Sequence, residues 1–118
     1  MRLPHAENAQ IPLEKLAGYA LDPNHKDGRH KARVFKARLG FIRGDSETVS
    51  LLIKNLVPFF DAKERETDDW GTRYQVDIPL TGRSGKATVR TGWIVPVDSD
   101  TPSLTTAFVL QDDDTKVQ

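Results

Sequence analysis

Apolar side chains recur three or four residues apart over the first half of the chain and every second residue after it, with the change near residue 60. In "IPLEKLAGYALDP", Pro12 stands at a first helical position. Leu13, Leu16, Ala17, Ala20 and Leu21 follow at helical spacing and Pro23 marks the end, so a short amphipathic helix is expected over 12–21. A second helix is expected over 28–39, closed by Gly40, with Ala32, Phe35 and Leu39 on the stripe that faces the core. Lys31 and Arg38 fall along one flank of that stripe, whereas His30 lies on another side with Val34 and Ala37.

"DSETVSLLIKNLVPFF" predicts a third helix over 45–60. Asp45 or Ser46 would accept from its first-turn N–H groups, and Pro58 would end or kink it. The alternation in "TRYQVDIPL" and "KATVRTGWIV" predicts strands over 72–80 and 87–96, joined by the glycine-bounded loop "TGRSGK". "SLTTAFVL", apolar on both sides, predicts a last strand over 103–110, central or covered, with Leu104, Thr106 and Phe108 on one side. "AKERETDD" fits a charged edge strand. The expected fold is α+β: two to three N-terminal helices, then a four-stranded antiparallel β-meander, one domain over 1–110 with an acidic disordered tail over 111–118.

Charge changes this picture. The chain has 17 basic and 17 acidic side chains. Yet seven Lys or Arg lie between Lys26 and Arg43 with Asp27 the only acid among them. A neutral chain polarised in this way can present a cationic face to an anionic partner, or carry its cations as the wet side of a helix. With no cysteine there is no disulfide framework and no thiolate chemistry. No stretch approaches 18 apolar residues, and a cytoplasmic protein without membrane contact is expected.

Several motifs fail on their own chemistry. "TGRSGKAT" has two residues between Gly82 and Gly85 where a phosphate loop needs four, and Ala87 stands where a magnesium-binding hydroxyl belongs. His25, Asp27 and His30 match no metal spacing, so neither metal nor cofactor is expected. Tyr74, Trp93 and Phe108, at strand spacing, read as core in preference to a base-stacking platform. What remains is the cationic helix, His30, and two arginines, Arg73 and Arg90, at polar-face strand positions.

That set suits RNA cleavage by the substrate's own 2′-hydroxyl, which needs a base, an acid and cations around a crowded phosphorane. His30 is the acid or base; Lys31 and the arginines hold phosphate. Lys26, Arg29, Arg33, Arg38 and Arg73 are the expected backbone contacts.

The segments "DPNHKDGRHKARVFKARLGF", "GTRYQVDIPLTGRSGKATVRTGWIV" and "LTTAF" resemble a small uncharacterised prokaryotic domain family of short stand-alone proteins. That resemblance covers roughly residues 2 to 110. The family's pattern is Asn-Pro-x-His, Gly-x-x-Lys-Ala-x-x-Phe, Leu-Gly-Phe, Tyr-Gly, a Trp strand and a final Thr-Ala-Tyr. Here Asp22-Pro23, Trp70-Gly71 and Phe108 depart from it. More distantly, helices before a four-stranded meander resemble the barnase–EndoU–colicin–RelE superfamily of metal-independent ribonuclease toxins. This resemblance implies catalytic roles for His30 and Lys31 from the helix and Arg90 and Thr106 from the sheet, and a small neutralising partner protein. The expected function is therefore a toxin-type endoribonuclease. The alternative is a non-catalytic antitoxin or adaptor that binds protein or nucleic acid through the basic helix.

Overall fold

In a computed structural model of the chain, residues 1–111 are described; the acidic tail expected over 111–118 lies outside them except for Gln111. Helices α1 (Arg29–Leu39) and α2 (Ser46–Leu56) precede strands β1 (Ala62–Asp68), β2 (Gly71–Thr81), β3 (Lys86–Pro96) and β4 (Ser103–Val109). The strands form one antiparallel sheet in the order β1-β2-β3-β4. The α+β expectation holds, including the charged edge strand.

Alternation sorts the sheet into two faces. Tyr74, Val76, Ile78 and Leu80 of β2, Val89, Thr91 and Trp93 of β3, and Leu104, Ala107 and Val109 of β4 are buried. They pack with Phe35 and Leu39 of α1, Val49 and Ile53 of α2, and Leu3, Ala6 and Ala9 from the N-terminal segment in one core. Helix α1 buries the expected stripe of Ala32, Phe35 and Leu39 and ends at Gly40, whose φ of 77° is the left-handed conformation glycine adopts without strain.

Local expectations are corrected at several points. Residues 12–21 do not form one α-helix: a 3₁₀ turn, Leu13–Lys15, runs into a π turn, Leu16–Ala20, closed by the Leu21 N–H donating to the Leu16 carbonyl at 2.8 Å. Gly18 offers this segment little helical preference, and the core contacts of Leu16, Ala20 and Leu21 set its winding instead.

Neither proposed cap caps α2. The Asp45 carboxylate accepts from the Ile42 N–H, and the Ser46 hydroxyl donates to the Arg43 carbonyl. The expected helix over 45–60 is α-helical only to Leu56, beyond which Pro58 falls in a 3₁₀ turn, Val57–Phe59.

Strand β4 lies at the sheet edge and is covered by α1 packing along it, the second of the two expected alternatives. Finally, the β3–β4 register slips between Gly92 and Trp93, which pair with Thr106 and Leu104. The extra residue, Thr105, turns Thr106 and Phe108 to the face opposite Leu104, so Phe108 leaves the core.

Candidate functional site on the open face of the sheet

The helices cover one face of the sheet and leave the other to polar side chains. Register places them in rows. Asp77, Arg90 and Phe108 stand side by side on β2, β3 and β4, and Gln75, Gly92 and Thr106 make the next row. Two adjoining hollows run over these rows and share Arg65, Gln75 and Arg90. One, of about 660 Å³, reaches Asp61 and Lys63 at the β1 edge; the other, of about 350 Å³, reaches Thr105, Thr106 and Phe108 on β4. Together they form a trough across the strands. Gly92 keeps its floor low: a Cβ there would stand 3.0 Å from the Thr106 methyl and 3.1 Å from the Thr105 hydroxyl.

The trough continues around the β4 edge. Thr105 also lines a hollow of about 340 Å³ with Tyr19 and His25. Lys31, from the first turns of α1, donates to the Tyr19 hydroxyl, and its Nζ lies 4.5 Å from the Tyr19 ring centre and 5.9 Å from that of Phe108. Lys31 is thus held between a hydroxyl and two ring faces at the β4 end of the trough.

His25 packs edge-on against Tyr19, ring centres 5.0 Å apart. Its Nδ1 accepts from the N–H groups of Asp27 and Gly28, both at 2.9 Å, which assigns the ring proton to Nε2.

Two arginines of the trough are paired with aspartates. Arg90 donates to both oxygens of Asp77, Nε at 2.9 Å and Nη2 at 3.0 Å. The Gln75 amide lies beside the same guanidinium, its oxygen assigned to the facing side at 3.1 Å. Arg73 pairs with Asp68, whose carboxyl is held below its usual range first by the Trp70 N–H and then, against some desolvation, by Arg73. Helix α1 and the turns beside it contrast with this: among the described residues no carboxylate pairs with Lys26, Arg29, Arg33, Lys36, Arg38 or Arg43.

The structure therefore divides the residues singled out from sequence. Arg90 and Thr106 share the trough, with Arg73 along it and Lys31 at its β4 end. His30 is not there: it is exposed, 3.3 Å from Arg33, and lines a separate cleft with Arg29 and Arg33. Lys26 is exposed in the turn before α1 and Arg38 in its last turn.

Asp77, Arg65, Tyr19 and His25 were missed as site residues. Asp77 meets Arg90 only through the cross-strand register of the assembled hairpin, and nothing in the local sequence marks Tyr19. No group of three or more His, Asp or Glu among the described residues is arranged to hold a metal, and none of their helices is long and apolar enough to cross a membrane.

A family model described as a domain of unknown function, DUF6883, matches residues 2–111. The chain belongs to the DUF6883 family. That is the small uncharacterised domain family expected from "GRHKARVF" and "LTTAF". Neither a curated protein nor a solved structure matches this DUF6883 domain.

Proposed function

We propose that this DUF6883 domain binds single-stranded RNA along the open face of its sheet and cleaves it through the 2′-hydroxyl. The observation that carries this reading is the row Asp77–Arg90–Phe108 with Lys31 at its end: a carboxylate on β2, a guanidinium on β3, and an ammonium from α1 beside the ring on β4. Neighbouring strands lie about 4.8 Å apart, so β2 and β4 are separated by roughly 10 Å, room for a phosphodiester between base and acid.

In this reading Asp77 takes the proton from the 2′-hydroxyl as the 2′-oxygen attacks phosphorus. The bond from phosphorus to the 5′-oxygen breaks, and Lys31 protonates that oxygen as it leaves. Arg65 and Arg90 stabilise the charge that grows on the non-bridging oxygens, and the Thr106 hydroxyl donates to one of them. The products are a 2′,3′-cyclic phosphate and a 5′-hydroxyl, and no metal takes part. His30, expected from the sequence as acid or base, has no role at this site because it lines another cleft.

The test is cleavage of a single-stranded RNA by purified protein in EDTA. Cyclic phosphate ends are expected, as is no cutting where the scissile nucleotide is 2′-deoxy. Asp77→Asn and Lys31→Ala should each slow cleavage about 10²–10⁴-fold. RNA left intact from pH 5 to 9, with or without divalent metal, would remove the nuclease reading. Cleavage by Asp77→Asn at the wild-type rate would leave a nuclease but move its base elsewhere.

A further inference from the structure

Helix α1 presents its other flank to a second cleft, of about 530 Å³, away from the trough. Its floor is aliphatic: Leu21, Pro23, Ala32 and Ile42, the last of which is 52% exposed. Around the floor stand the cations Arg29, Arg33, Lys36 and Arg43. Arg43 is fixed in place by donating from Nε to the Ala17 carbonyl at 2.6 Å, while none of these four is paired with a carboxylate among the described residues. Three arginines elsewhere, Arg73, Arg83 and Arg90, each hold an aspartate. An apolar floor with a rim of unpaired cations asks for a ligand of matching build.

We infer that this cleft docks an acidic segment of a partner protein, inserting an aliphatic side chain flanked by Asp or Glu. Charge complementarity gives the sign of the flanking residues. Floor chemistry decides between peptide and nucleic acid. Single-stranded nucleic acid is gripped by stacking successive bases on aromatic rings, and no Phe, Tyr or Trp lines this cleft; its one ring is the His30 imidazole, which stands 3.3 Å from Arg33. A leucine or isoleucine buried against Leu21, Pro23 and Ile42 gains from the aliphatic surface, and its acidic neighbours reach the rim. The inference does not depend on the trough being a nuclease, since no residue of the row from Asp77 to Lys31 lines this cleft.

The experiment is fluorescence anisotropy on the full chain with a short labelled peptide of glutamate interrupted by two leucines. Three competitors are used: the same peptide with glutamine for glutamate, the same with serine for leucine, and a uridine oligonucleotide. Micromolar binding of the glutamate–leucine peptide is expected, with the glutamine and serine versions each weaker by about tenfold or more. Lys36→Glu and Ile42→Ser, both at exposed positions, should each weaken it by a similar factor, whereas Asp77→Asn should bind it unchanged. The Asp77→Asn arm separates this result from any failure of the nuclease reading. No binding, equal binding of all three peptides, or unchanged binding by Lys36→Glu and Ile42→Ser would overturn the inference. So would an oligonucleotide that displaces the peptide and is itself lost in those two variants, because the cleft would then belong to nucleic acid.

Discussion

Thr91→Val would test what holds β3 beneath the trough. Thr91 and Trp93 are fully buried on the inner side of the strand whose outer side carries Arg90 and Gly92. The indole N–H of Trp93 donates to the Thr91 hydroxyl at 2.8 Å, and that hydroxyl donates to the Val76 carbonyl at 2.7 Å. Valine keeps the shape and the β-branch but ends this relay, leaving a buried N–H with no acceptor. An orphaned buried donor costs about 1–3 kcal/mol, and the extra buried methyl returns at most about 0.8 kcal/mol. A net loss of about 1–2 kcal/mol is expected, read as a fall in the urea midpoint at unchanged slope.

Trp93→Phe supplies the control. It removes the donor and costs stability of its own through lost volume. In the double variant no donor is orphaned, so its loss should fall short of the sum of the singles by about 1–2 kcal/mol. Strict additivity, or a Thr91→Val protein as stable as wild type, would show that the relay contributes nothing and refute the reasoning.

Two further predictions concern the loop between β2 and β3. Arg83 holds Asp45 through both Nη atoms, at 2.8 and 2.6 Å, and with the Ile42 N–H it lowers the carboxyl to about 2. A lowered folded-state value stabilises above the unfolded value of 3.8 and is lost as pH falls toward 2. Wild type should therefore lose urea resistance over that window faster than Asp45→Asn, and parallel curves would exclude the pair. Gly82→Ala would place a Cβ 2.1 Å from the Leu39 carbonyl oxygen, a backbone contact that cannot give. A loss of about 1–3 kcal/mol or more in urea denaturation is expected.

The architecture was legible because alternation over β2 and β3 is nearly unbroken, so each core side chain declared its face. It failed where spacing alone could not carry register. At β4 the slip at Thr105 separates Thr106 from Leu104, and a strict period of two puts Phe108 in the core when it faces Arg90. Over 12–21 the apolar positions suit a π turn as well as an α-helix, since both bring Leu16 and Ala20 to the same side. At the site, helical spacing separated Lys31 from His30 correctly but could not show that their flanks open onto different surfaces. Arg90 was visible as a polar-face arginine; its bidentate hold on Asp77 depends on a cross-strand register that only the assembled hairpin defines.

The strand order bears on how the chain reaches this state. Each strand pairs with the one made just before it, so the sheet can zip hairpin by hairpin with only short loops to close. Helix α1, by contrast, must find β4 across the whole length of the meander. Docking of α1 closes a loop that spans the whole meander, the same event that brings Lys31 to Phe108 and ties the β2–β3 turn to the helix end through Ser84, whose N–H donates to the Leu39 carbonyl. The kinetically costly contact is the one that completes the trough, so a chain that has zipped its sheet but not docked α1 carries the strand residues of the site without its lysine.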